Sequence, residues 1–245
     1  MPQSDRGRIE LFSDFYTEDN IANTAETRSY GPFVVGGQGN AEVDAGVPVI
    51  AGMVSGAARI TTTNEDNHCT MVGTATGFSA SLMGPIVLEA RVQLDNLDTK
   101  EVFFGLSDID PNTLNLEGTL IHGASTTITL TASDLCGFLL SAELTDDEDW
   151  HMVYNGGSTT GETDSTAIDA DDDAVAGEWQ VLRLEIDTNG TARWYIDGVL
   201  KQTKTGAVST TTVMGVCLGV EAKGAAIENL DVDYLLVQAN RDWTA

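Results

Sequence analysis

Residues 178–200 read Glu-Trp-Gln-Val-Leu-Arg-Leu-Glu-Ile-Asp-Thr-Asn-Gly-Thr-Ala-Arg-Trp-Tyr-Ile-Asp-Gly-Val-Leu. Leu182, Leu184 and Ile186 fall on one face of an extended chain, and Arg183, Glu185 and Asp187 fall on the other. Ala192, Trp194 and Ile196 then alternate with Thr191, Arg193 and Tyr195. A period of two over segments this short predicts half-buried antiparallel strands. Asn189-Gly190 and Asp197-Gly198 supply the positive-φ residues that tight hairpins require. The same alternation predicts a strand over 86–94, where Ile86, Leu88, Ala90, Val92 and Leu94 share a face. Another is predicted over 230–238, with Leu230, Val232, Tyr234 and Leu236 in register.

Further strands are predicted over 9–15, 57–63, 101–106, 136–144, 150–154 and 213–220. The Gly- and Val-rich stretch 31–56 predicts short strands and loops. Residues 109–124 form a polar connection with room for a helical turn, and 125–132 are rich in Ser and Thr. Asn155 to Thr166 is a Gly/Ser/Thr loop, and the runs 146–149 and 171–173 are acidic turns. About a dozen strands with no long amphipathic helix predict an all-β sandwich. No linker divides the chain, so 9–245 is expected to form a single domain, with 1–15 an N-terminal arm and first strand.

The balance of 12 Lys+Arg against 38 Asp+Glu gives a formal charge of −26 over 245 residues. Such a surface repels phosphates and anionic headgroups, so neither nucleic acid nor membrane is an expected partner. High acidity is first of all a solubility device. Cys69, Cys136 and Cys217 are widely spaced and odd in number, which fits buried free thiols and neither a disulfide framework nor a zinc site. The N-terminus lacks the apolar core of a secretory signal, and a protein made in a reducing cytosol is expected.

Several segments, in order, resemble the concanavalin A-like (laminin-G-like) jelly roll of tailed-phage structural proteins. They are Gly105-Leu-Ser-Asp108, Cys136-Gly-Phe-Leu-Leu140, Trp150-His-Met-Val-Tyr-Asn-Gly-Gly157, residues 177–186, Trp194-Tyr-Ile-Asp-Gly198 and Leu230-Asp-Val-Asp-Tyr234. The resemblance covers about residues 80–240, and Leu11 to Phe15 looks like the opening edge strand. It implies two packed antiparallel sheets, one of them curved. In the phage setting it implies a non-enzymatic virion protein on the capsid surface, assembled in the host cytoplasm. The leading expectation is a capsid decoration protein that binds the major capsid protein and stabilises the coat. The resemblance also implies a homodimer or homotrimer. A carbohydrate-binding or host-adhesion domain recognising a host glycan is the alternative, and a glycoside hydrolase ranks third.

Hydrolysis needs a pair of carboxylates across a sugar cleft. In the jelly-roll glucanases they lie on one strand as E-x-D-x-E. Here Glu185-Ile-Asp187 is followed by Asn189 and Gly190, so the second glutamate is missing and a solvated strand face is expected. No nucleophile elbow or nucleotide-binding glycine motif occurs, and no cofactor is expected. Calcium could draw oxygens from the turns at 146–149 and 169–173 or from Asp108-Ile-Asp110-Pro-Asn112, though solvated turns are favoured. His68, His122 and His151 lack metal-ligand spacing and are expected to be ordinary surface or packed residues. Trp194 shares a face with Ala192 and Ile196 and is expected in the core, as is Trp179. Trp150 and Trp243 remain as candidate platforms for a glycan or partner. Arg6 and Arg8 are candidate capsid anchors on the N-terminal arm. A working surface is expected in the loops and the arm rather than on the hairpin.

Overall fold

The computed structural model describes residues 7–16, 21–22 and 28–242. In chain order the strands begin β1 (Arg8–Ser13), β2 (Ile21–Ala22), β3 (Arg28–Tyr30), β4 (Phe33–Gly36), β5 (Gly46–Val47), β6 (Ala58–Thr61) and β7 (Cys69–Gly73). They continue with β8 (Ile86–Leu94), β9 (Lys100–Ser107), β10 (Ile121–Ala124), β11 (Thr127–Leu130), β12 (Leu135–Ser141) and β13 (Asp149–Asn155). The last are β14 (Asp169–Asp173), β15 (Trp179–Ile186), β16 (Ala192–Ile196), β17 (Val199–Lys204), β18 (Gly215–Ala222) and β19 (Asn229–Asn240). One helical turn, α1 (Ala80–Met83), precedes β8, and a π-helical turn covers Leu116–Leu120.

Two antiparallel sheets form the predicted jelly-roll sandwich. The first runs β17-β16-β15-β8-β19-β6-β5-β2, with β1 also paired to β19; the second runs β14-β13-β12-β9-β18-β7-β4-β3. In β8 the inward residues Ile86, Leu88, Ala90, Val92 and Leu94 are all buried while the residues between them are half-exposed. β15 repeats that alternation against β8, and β16 repeats it against β15, each pair in unbroken register. The Asp197–Gly198 turn that joins β16 to β17 holds both residues at positive φ, the geometry of a tight hairpin.

Between the sheets lie Phe104, Phe138, Trp150, Tyr154 and Trp194, all essentially without solvent contact. Phe138 stacks on Phe104 and meets Trp150 edge-on, with ring centroids 6.4 and 6.3 Å apart. Each such side chain contributes about 1.5–3 kcal/mol by burial. Both indole nitrogens are satisfied: Trp194 Nε1 donates to the Gly137 carbonyl at 2.8 Å, and Trp150 Nε1 donates to Gln180 Oε1 at 2.9 Å. The three cysteines are buried free thiols.

The central strands of the second sheet are buried on both faces. Every residue of β7, β9, β12 and β18 is out of solvent. The sheet's outer face is covered by residues 108–132, which the sequence pattern reads as a polar connection over 109–124 followed by a Ser/Thr-rich stretch over 125–132. The cover carries Leu114, Leu116, Leu120, Ile121 and Ile128, all buried, and folds partly as the β10–β11 hairpin. Residues 171–173, expected as a turn, belong instead to the edge strand β14. Trp179 also departs from expectation. It shares parity with Val181 and Arg183, so it lies half-buried on the outer face of the first sheet, with the Arg91 guanidinium 4.9 Å above its ring.

Candidate functional site

Three loops meet at one end of the sandwich: residues 155–164 after β13, the β15–β16 turn, and residues 205–214 after β17. Backbone bonds stitch them together. Thr159 N–H donates to the Gly206 carbonyl at 2.9 Å and Val208 N–H to the Gly190 carbonyl at 3.2 Å. Glycine is required at two of the contacts. A Cβ on Gly157 would fall 2.0 Å from the Gly206 carbonyl oxygen, and Gly206 itself has φ +63°. These close approaches leave an open hollow of about 300 Å³ lined by Gly156, Gly157, Ser158, Asn189, Gly206, Val208, Ser209 and Thr210.

The lining holds hydroxyls, an amide and backbone, and no charge. Asn189 Oδ1 accepts from the Thr191 amide at 3.0 Å, which orients its NH₂ group for other acceptors. Asp134 lies behind the hollow, its carboxylate against Gly156. Burial, with the nearby charge of Asp108, raises its pKa.

A second concentration of polar groups sits between the outer face of the second sheet and its cover. Glu101 on β9 and Glu221 on β18 are both buried. Glu221 accepts the amides of Leu116 and Glu117 at 2.5 and 3.0 Å, and Glu101 accepts the Gly123 amide at 2.9 Å. The two carboxylates therefore pin the cover to the sheet. Burial pushes Glu101 up to about 8 and Glu221 up to about 7. Lys223 bonds to Glu117, lies 3.1 Å from Glu143, and stands 3.9 and 3.8 Å from Glu101 and Glu221. Burial opposes its charge, but the Glu117 hydrogen bond and the surrounding carboxylates raise its pKa.

The sequence-derived candidates are not gathered at either place. Trp150 is a correction: it is fully buried and has no face to offer a sugar or partner, because Trp150, Met152 and Tyr154 form the inward face of β13. Arg8 is exposed on β1, opposite Asn240, where it borders a hollow of about 170 Å³ with Pro85, Val87 and Gln238. Arg6 and Trp243 lie outside the described residues. Glu185 and Asp187 do form a half-exposed strand face, engaged by Arg183 at 2.7 Å and Arg193 at 2.8 Å.

The acidic segments considered for calcium direct their carboxylates to nearby backbone. Asp110 Oδ1 accepts the Asn112 amide, Asp169 Oδ1 the Asp171 amide, and Asp149 Oδ1 the Asp172 amide. His151 is packed and fully buried, and burial lowers its pKa. The residues of the hollow were not individually legible. Their only signals are the Gly/Ser/Thr bias of 155–166 and the Asn189-Gly190 turn.

No family model and no curated protein matches the sequence. Solved structures do match. A protein of unknown function from Shewanella oneidensis MR-1 is 12% identical with a TM-score of 0.56, covering 97% of this chain and 89% of that one. LamA from Zobellia galactanivorans, in complex with laminaritriose and laminaritetraose, is 10% identical with a TM-score of 0.57, covering 94% and 98%. The Emp47p carbohydrate recognition domain is 11% identical with a TM-score of 0.54, covering 93% and 96%. At such identities the likeness is one of fold, and the fold is the concanavalin A-like jelly roll.

Proposed function

We propose that the protein is a non-enzymatic carbohydrate-binding domain that takes a neutral sugar unit in the hollow formed by Ser158, Asn189, Ser209 and Thr210. The observation that carries this reading is the uncharged, hydroxyl- and amide-lined hollow of about 300 Å³, at the lower end of the usual range for small-molecule sites. A sugar presents many hydroxyls that both donate and accept, and this lining can answer both. The hollow itself carries no carboxylate pair of the kind that glycosidic cleavage uses. The LamA and Emp47p neighbours agree with the reading only in sharing a fold that holds carbohydrate.

Glycan-array screening followed by calorimetry tests it. A neutral glycan is expected to bind, with Asn189→Ala and Ser158→Ala each weakening it about tenfold, the effect of losing one or two good hydrogen bonds. Absence of glycan binding, or binding indifferent to both substitutions, would overturn the reading. Decoration of a phage coat is the second reading. Its support is the sequence resemblance together with Arg8, exposed on the edge-paired β1. Co-sedimentation with capsids, lost in Arg8→Glu, is its test.

A further inference from the structure

Glu117, on the π-helical turn, His122, on β10, and Glu143, just beyond β12, are brought together over the ends of the central strands of the second sheet. His122 Nδ1 lies 3.5 Å from Glu143 Oε2 and 3.9 Å from Glu117 Oε2. One ligand atom from each residue falls within 4.8 Å of the other two. Zinc binds imidazole nitrogen and carboxylate oxygen at about 2.0–2.2 Å, which places tetrahedral ligands about 3.4 Å apart. The observed spacings therefore surround a volume of metal size. They are too long for His122 Nδ1 to hydrogen-bond either carboxylate, and that atom is buried without a hydrogen bond.

A second observation comes from beneath the three residues. Glu101 is fully buried, and its Oε2 makes no hydrogen bond while pointing toward Lys223 at 3.9 Å. Lys223 Nζ lies within 4 Å of four carboxylates, those of Glu101, Glu117, Glu143 and Glu221. Lys223 is a single ammonium among four acidic groups, and a dication shared by Glu117 and Glu143 would add charge of the sign the cluster lacks.

We propose that Glu117, His122 and Glu143 bind a divalent transition-metal ion of the zinc class, with Lys223 contacting the Oε2 atoms of the same two carboxylates. One imidazole nitrogen with two carboxylates suits zinc, cobalt or manganese better than calcium or magnesium, which take oxygen shells. Three protein ligands leave a fourth position for water. Lys223 supplies the outer contact that ligating carboxylates ordinarily have. The ligand side chains are 21% to 42% exposed, so an ion can enter from solvent. Bound there, it would clip the cover at residues 117 and 122 to the end of β12, independently of any sugar in the distant loops.

The test uses the full chain after chelator treatment and dialysis. Calorimetry with zinc chloride is expected to give one ion per chain. Cobalt chloride is expected to give the visible absorption of a low-symmetry site. His122→Ala and Glu143→Gln should each weaken zinc binding at least tenfold. Both positions are partly exposed, so both variants should keep the metal-free melting temperature within a few degrees. A Cys69→Ser variant should bind zinc as the parent does. No stoichiometric zinc binding, zinc binding unchanged by both ligand substitutions, loss of binding in Cys69→Ser, or calcium bound as tightly as zinc would each overturn the proposal.

Discussion

Glu101 and Glu221 face each other directly across β9 and β18, two buried carboxylates with the ammonium of Lys223 on the same side. Two like charges opposite one another would destabilise a sheet. Burial, which raises Glu101 to about 8 and Glu221 to about 7, keeps the pair from ionising fully together at neutral pH. Both side chains are held by backbone amides of the cover and share one cation. Removing that cation is therefore expected to be severe. Lys223→Met should destabilise the fold by about 3–5 kcal/mol, the usual result of stripping one partner from a buried ionic group. Adding Glu101→Gln should recover part of the loss, since glutamine still accepts the Gly123 amide without a charge. Urea denaturation of the two single variants and the double variant measures the coupling. Strict additivity would show that Lys223 and Glu101 do not act together.

Asp149 gives a pH dependence with a definite sign. Burial, followed by the charge of Asp169, pushes it up to about 6 from the usual 3.8. A carboxyl whose folded pKa is raised keeps a proton that the unfolded chain has lost. Its contribution to stability is present below the unfolded pKa and disappears as pH rises through about 6. His151, depressed by burial, acts in the opposite sense and loses stability on acidification through the unfolded histidine range. Asp149→Asn retains an acceptor for the Asp172 amide and removes the first effect alone. The melting temperature of the variant minus that of the parent should therefore rise between pH 4 and 6.5 by a few degrees. A flat difference would refute the assignment.

The framework was legible wherever one face of a strand met water. β8 and β15 alternate because their outer residues are solvated, and the register of β15 against β8 and β16 follows from that alternation. β19 departs from it: a bulge at Asp233 shifts its register against β8, so Leu235 and Val237 turn inward where the alternation predicts Tyr234 and Leu236. The cover was not legible for the opposite reason. Leu114, Leu116, Leu120, Ile121 and Ile128 are spaced with neither period, and polar residues between them mimic a surface loop. Only the sheet beneath gives them a common direction. Trp179 was misplaced because the buried run starts at Leu182, and counting parity back from there puts it outside. The aspartates 171–173 read as a turn by composition, yet β14 lies on an edge where Lys201 meets Asp172 at 2.6 Å. Glu117, His122 and Glu143 come from three segments that no sequence spacing relates.

Trp150 separates packing from recognition. Its indole donates to Gln180 Oε1 inside the sandwich. Trp150→Phe should leave that oxygen without its donor and cost about 1–3 kcal/mol, adding a cavity penalty of similar sign. Glycan affinity should stay within about twofold of the parent at a temperature where both are folded, because no sugar can reach the ring. A selective loss of binding with stability preserved would contradict the burial.

Gly157 and Gly177 are two loop glycines whose replacement should fail in different ways. At Gly157 the added methyl would collide with the backbone of 206–208, the nearest atom 2.0 Å away, and the colliding groups form the wall of the hollow. Gly157→Ala must push that wall outward, so both glycan binding and thermal stability should fall. At Gly177 the space around a Cβ is open but φ is +82°, so alanine meets only backbone strain of about 1–2 kcal/mol. Gly177→Ala should lower the melting temperature by a few degrees and leave glycan affinity unchanged. If both variants lost stability equally while neither lost affinity, the wall at 206–208 would not be shaping the bound sugar. The hollow would then be excluded as the binding site.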